Sequence, residues 1–162
     1  MPEIVKEVQP PSGLARWAFR IPILLYRVGL GWMLGHRFLL LTHTGRKSGL
    51  SRQTVLEVVR YDRESGNYYI AVGFGKHSDW YQNIIVHPQV AVHSGGDRIK
   101  AKAEQLSPDE AGSELVRYAH EHPATFKELV TFMGYRVDGS DADIRALGEY
   151  VRMFVLKPIT TL

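Results

Sequence analysis

The chain contains no cysteine in 162 residues, which excludes a disulfide framework, a thiolate metal site and a catalytic thiol. It has no uncharged apolar stretch of the ~20 residues needed to span a bilayer, because Arg27 interrupts the best candidate. A secretory signal is missing too. The N-terminus opens with Glu3 and Glu7 where positive charge belongs, and no small-residue cleavage site follows the apolar part, so the expected location is cytoplasmic. The absent motifs narrow the chemistry further. Neither the G-x-x-x-x-G-K-[ST] loop of nucleoside triphosphate binding nor the G-x-G-x-x-G dinucleotide turn occurs. No H-E-x-x-H or comparable ligand spacing supports a metal, despite seven histidines. No G-x-S-x-G elbow makes Ser48 a nucleophile, and a serine beside a lysine in a glycine turn serves better as an anion donor. Internal repeats and low-complexity tracts are lacking as well.

What is present fits one globular domain, with 44% hydrophobic and 23% charged residues. A formal charge of +3 and a pI near 9.2 favour anionic ligands or anionic lipid, and nothing in the pattern supports nucleic acid. The most telling stretch is Thr42-His43-Thr44-Gly45-Arg46-Lys47-Ser48-Gly49-Leu50-Ser51-Arg52, directly after the apolar run Phe38 to Leu41. It suggests a strand ending in a loop that holds an anion. Two glycines permit a tight turn and close backbone approach, while Arg46, Lys47 and Arg52 surround that turn with positive charge. An exposed basic turn between two strands is the alternative at this level.

Along the chain, residues 1–13 carry Pro2, Pro10, Pro11 and Gly13 and are expected to form a loosely ordered arm. Residues 14–36 form an apolar, arginine-punctuated segment in which Arg16, Arg20 and Arg27 share a narrow arc of a helical wheel. Pro22 places the start of a continuous helix near Ile21. Such a helix suits either a membrane interface or packing on its own domain or across a dimer. The remaining residues, 37–158, are expected to form the main domain. Thr54–Tyr61 is β-branched and predicts a strand, paired through a turn at Asp62–Asn67 with Tyr68–Val72. Gly73-Phe74-Gly75-Lys76 marks a second close-approach loop. A short helix over 77–85, capped by Ser78 or Asp79, stops before Pro88. Two strands follow at 89–93 and 98–106. Ser107-Pro108-Asp109-Glu110 then starts a helix running to about His120. A helix over 124–133 and a last strand over 151–156 complete the reading. Hairpins separated by short helices argue for an antiparallel sheet or small barrel of α+β, mainly β class.

Two of these segments together resemble the deazaflavin (coenzyme F420)-dependent nitroreductase family of split β-barrel oxidoreductases. They are Leu40-Leu41-Thr42-His43-Thr44-Gly45-Arg46-Lys47-Ser48-Gly49 and, later, Trp80-Tyr81-Gln82-Asn83 with Pro88 close behind. The likeness runs from about Phe38 to Leu106, and the strand ending at Lys157-Pro158 resembles the family's last one. It implies a split β-barrel binding coenzyme F420, an 8-hydroxy-5-deazaflavin with a phosphate and an oligoglutamate tail, or alternatively FMN. By the same resemblance, Arg46, Lys47, Ser48 and Gly49 would hold the phosphate, with Arg52 reaching the same anion or the first glutamate. Thr54, Val55 and Leu56 would lie along the ring or its ribityl chain, and Ala71, Val72, Gly73 and Lys76 would approach the ring from the other side. Trp80, Tyr81 and Asn83 would line the pocket.

The activity implied is hydride transfer from the reduced deazaflavin to an electron-poor acceptor such as a quinone or activated alkene. Tyr81 or Tyr135 is the candidate proton donor. Departures from the family pattern fall at Gly73 to Lys76, where relatives often carry serine-lysine-glycine, and in the region before the last strand, so nitroimidazole reduction does not follow. A membrane-lying segment at residues 14–34 would bring the pocket to lipid-dissolved quinones on the inner face of the membrane. Split barrels commonly pair, and a homodimer would make Trp17 and Trp32 interface candidates. The alternatives are an FMN-dependent reductase of the same fold or a non-catalytic flavin-binding protein docked to a membrane or partner.

Overall fold

The computed structural model describes residues 1–5, 23–73 and 77–159. Nine strands are described: β1 Glu3–Ile4, β2 Phe38–Thr44, β3 Ser51–Glu57, β4 Arg60–Asp62, β5 Asn67–Ala71, β6 Gln89–Ser94, β7 Asp97–Gln105, β8 Tyr135–Arg136 and β9 Met153–Pro158. Seven of them form one antiparallel sheet in the order β3-β2-β6-β7-β9-β5-β4, while β1 and β8 pair separately. Although β3 and β4 lie at the two ends of this order, only Val58 and Val59 separate them in the chain. The three Cα–Cα steps from Glu57 to Arg60 span at most ~11 Å, so the sheet must roll until its ends meet. Val58 N–H donates to Arg37 O at 2.9 Å and Val59 N–H to Tyr69 O at 2.8 Å, which marks the change of partner. The single strand expected over 54–61 is therefore two strands on opposite edges of the sheet.

Alternation along the strands fills the rolled sheet. Leu39, Leu41, Tyr68, Ile70, Val90, Val92, Phe154 and Leu156 point inward and are buried together with Trp80, Tyr81 and Ile84 of helix α1 (Asp79–Val86). The other face of β5 and β9 carries Tyr69, Ala71 and Met153, which pack under helices α2 (Pro108–Glu121), α3 (Pro123–Phe132) and α4 (Asp141–Ala146). The α2 start follows its sequence closely: the Ser107 hydroxyl accepts from Glu110 N–H, and the Glu110 carboxylate accepts from Ser107 N–H. Arg60 ties β4 to this layer through two bonds to Glu114, at 2.7 and 2.9 Å.

Before the barrel, residues 23–27 are helical and Gly31–Arg37 is a 3-10 stretch kinked at Gly35. Gly29, at φ 81°, interrupts the continuous helix expected to Leu34, and Arg16, Arg20 and Trp17 lie outside the described residues. The inner side of this segment packs on its own domain: Tyr26 is buried, its hydroxyl donates to Phe38 O at 3.2 Å, and its ring meets His93 edge-on at 5.0 Å. Leu24, Val28, Trp32 and Met33 are exposed. Glu3–Ile4 pairs with Tyr135–Arg136, so this part of the expected arm is a strand. Among the described residues no helix is long and apolar enough to cross a membrane.

Candidate active site

The basic loop is shorter than its sequence suggests. Thr42, Thr44, Ser51 and Arg52 belong to the ladder of β2 and β3, where the pairs run from Phe38↔Glu57 to Thr44↔Ser51, and only Gly45 to Leu50 turns. Threonines at 42 and 44 favour extended backbone, and the inward alternation of Leu39, Leu41 and His43 carries β2 to the end of the barrel. Two backbone bonds close the turn, Gly45 N–H to Leu50 O at 2.8 Å and Gly49 N–H to Gly45 O at 2.9 Å. The Ser48 hydroxyl accepts from Leu50 N–H at 3.2 Å. Gly49 sits at φ 69°, a conformation side chains rarely adopt, and a Cβ there would meet nothing within 4 Å. At Gly45 a Cβ would come within 2.6 Å of Ser48 Oγ, so any larger residue there would turn that hydroxyl away from Leu50 N–H. Lys47, Ser48, Gly49 and Leu50 are exposed at the tip.

Helix α1 supports this turn from below. Asn83, buried at 3% exposure, accepts at Oδ1 from Arg46 N–H at 3.0 Å and from the Arg46 guanidinium at 2.9 Å. Its amide nitrogen faces His43 Nδ1 at 3.1 Å. The amide of Asn83 is thus engaged within the protein, beneath the loop. Arg46 also reaches Asp79 Oδ1 at 3.4 Å, where the carboxylate is 84% exposed. Burial lowers the His43 pKa to about 4, with nearby Asp79 opposing that shift and Arg52 adding to it. Ser78 stands at the N-cap of α1 without making a capping bond, and its hydroxyl is buried without a partner.

The other predicted residues are spread along the strands and α1, with Leu56 near the end of the β2–β3 ladder opposite to the turn. Thr54 and Leu56 stand opposite Leu41 and Leu39 and share their inner face, whereas Val55 stands opposite Leu40 on the outer face. Side chains of all three cannot line one surface. Ala71 ends β5, the buried Val72 donates its N–H to Arg152 O at 2.9 Å, and a Cβ at Gly73 would meet nothing within 4 Å. Lys76, with Phe74 and Gly75, lies outside the described residues. Trp80 and Tyr81 are buried in the barrel core, with the Tyr81 ring edge-on to Phe154 at 5.8 Å.

Arg152 is a residue the sequence reading missed. Its guanidinium lies 5.8 Å from the Tyr81 ring centroid. Burial raises the Tyr135 hydroxyl pKa while Arg152 pulls it down, so this cation lies near both candidate tyrosines. No motif surrounds Arg152; only its place just before β9 could have drawn notice.

The turn and α1 therefore combine cationic side chains, open space above Gly49 and a helix start with an unpartnered hydroxyl. Such a surface suits a large anionic ligand lying across the barrel end. The family model described as F420H2-dependent quinone reductase matches residues 25–132. No curated protein matches the chain. Among solved structures, it is similar to an F420-H2 dependent reductase, FDR-A, with a TM-score of 0.53 and 24% identity over 76% of this chain and 96% of that one. A second, described as a domain-swapped dimer, gives a TM-score of 0.55 at 22% identity and covers 90% of this chain and all 100% of its own. HutZ, a heme storage protein from Vibrio cholerae, shares the fold with a TM-score of 0.52 at 12% identity, over 85% and 92% of the two chains. These likenesses establish the fold as the split β-barrel.

Proposed function

Because the chain belongs to the F420H2-dependent quinone reductase family and is thus an F420-dependent oxidoreductase, we propose that its basic loop anchors the cofactor's anionic side chain and that its acceptor is a quinone or an activated alkene. The observation supporting this reading is the seating of the cationic turn on α1, where Arg46 bonds Asn83 and reaches Asp79. The donor set fits the group. Arg46, Lys47 and Arg52 supply charge for phosphate or glutamate, the Ser48 hydroxyl keeps a proton to donate while it accepts from Leu50 N–H, Gly49, its N–H held by Gly45 O, permits close approach, and the buried Ser78 hydroxyl is left for an acceptor the protein does not provide. Thr54 and Leu56 would flank the ring from the inner face, with Val55 contributing backbone only. Ala71, Val72 and Gly73 would close the opposite side, and Trp80 and Tyr81 the floor.

When bound, the reduced deazaflavin supplies a hydride. The chain's part is to fix its orientation, exclude water and deliver a proton to the reduced product. Two hydroxyls stand near Arg152 for that delivery, Tyr81 and Tyr135, and the raised pKa of Tyr135 keeps its proton in place at neutral pH. The test is titration with oxidised F420 and, separately, FMN, followed by tryptophan fluorescence, in wild type and R46A/K47A. Tight, salt-sensitive F420 binding lost in the double variant is the expected result. Preference for FMN would overturn the cofactor assignment, and unchanged binding in the variant would overturn the loop as anchor.

A second proposal concerns residues 23–37. Exposed Leu24, Val28, Trp32 and Met33, with Arg27 among them, suit contact with an anionic bilayer in which quinones dissolve. Cosedimentation with anionic liposomes should be lost in W32S/M33S. A protein that never sediments would remove this proposal, and a concentration-dependent change of mass would assign the same face to a homodimer.

A further inference from the structure

His43 is the one histidine that β2 carries into the barrel, and the chemistry of its neighbour fixes its proton. Asn83 Oδ1 receives two donors from Arg46, the backbone N–H at 3.0 Å and the guanidinium at 2.9 Å. The oxygen of the amide must therefore face Arg46, which turns the NH2 group toward His43 Nδ1 at 3.1 Å. An amide nitrogen only donates, so Nδ1 must be bare and the neutral ring must carry its proton on Nε2. The charged groups around the ring are Arg52 from β3 and Asp79 from α1, with Arg46 beyond Asn83, and burial among them keeps the ring neutral.

If Nδ1 carried a proton, two N–H groups would face each other. The Asn83 amide would then have to rotate, aiming its NH2 at the guanidinium and leaving Arg46 N–H without its acceptor. We propose that His43 is a positioning residue for the anion loop: its bare Nδ1 holds the Asn83 amide in the single orientation that seats Arg46. This rests on the loop being the cofactor anchor. It adds that the anchor is preset from inside the barrel by a group that touches no ligand.

Two measurements test it. In isotope-labelled wild-type protein the imidazole nitrogen shifts of His43 should show the Nε2–H tautomer; an Nδ1–H ring would overturn the proposal without any variant. Oxidised F420 is then titrated against wild type, H43F, H43N and R46A. Phenylalanine cannot accept from Asn83, and H43F should bind about tenfold more weakly. Asparagine can place an oxygen near the position of Nδ1, so H43N should recover most of that loss. H43F binding like wild type while R46A binds weakly would overturn the role of His43 and leave the loop standing. R46A binding like wild type would bring down the loop assignment, and with it the coupling, whatever the tautomer.

Discussion

At the scale of single residues, the buried imidazole of His43 makes stability depend on pH. Its pKa falls from 6.5 to about 4 on folding, so between these values the unfolded chain takes up a proton that the folded one refuses. The stabilisation is fully present above about pH 6.5 and is lost as pH falls toward 4. The shift corresponds to about 3 kcal/mol at most. Denaturant midpoints measured across that interval should fall with pH in wild type and much less in H43F; equal slopes would mean that another group dominates. Residue types and spacing made Arg46, Lys47 and Gly49 legible in the sequence, because charge and turn chemistry are local properties. The engagement of Asn83 and the position of Arg152 were not, since both depend on which residues tens of positions away fold against them. The same limit applies to Val55, whose face is set by the register of β3 on β2.

At the scale of elements, local signals did well where a cap or an alternation was strong. The Ser107 capping box set the start of α2, and the stop before Pro88 bounded α1. Failures came where partners, not propensity, decide. The Val58–Val59 break sits inside a continuous β-branched run, and α4 has only six residues, too few to declare a periodicity. Glycine at the α2 contact is another feature no pattern revealed. A Cβ on Gly148 would strike the Pro108 carbonyl oxygen and come within 2.6 Å of Gly112 N, both backbone atoms that cannot swing aside. G148A is expected to cost about 3 kcal/mol by overpacking, read as a lower thermal midpoint with cofactor affinity retained below it. An unchanged midpoint would show that α2 can shift away from this turn.

At the scale of the molecule, cofactor binding and stability are linked by mass action. At a hundredfold excess over Kd, oxidised F420 should stabilise the fold by about 2.7 kcal/mol, a rise in Tm of about 5–10 °C for a chain of this size. R46A/K47A should show little of that rise; an equal shift would place the binding energy elsewhere. The position of β9 has a consequence of another kind. This strand sits between β7 and β5, so one block of sheet (β3-β2-β6-β7) and the β4-β5 hairpin have no ladder joining them until Met153–Pro158 is in place. During synthesis the barrel cannot close until Met153–Pro158 has left the ribosome, and until then β7 and β5 offer open edges to any passing strand. Shortening the chain ahead of Met153 should therefore produce aggregates, and chaperone dependence should be greatest between the emergence of β7 and that of β9.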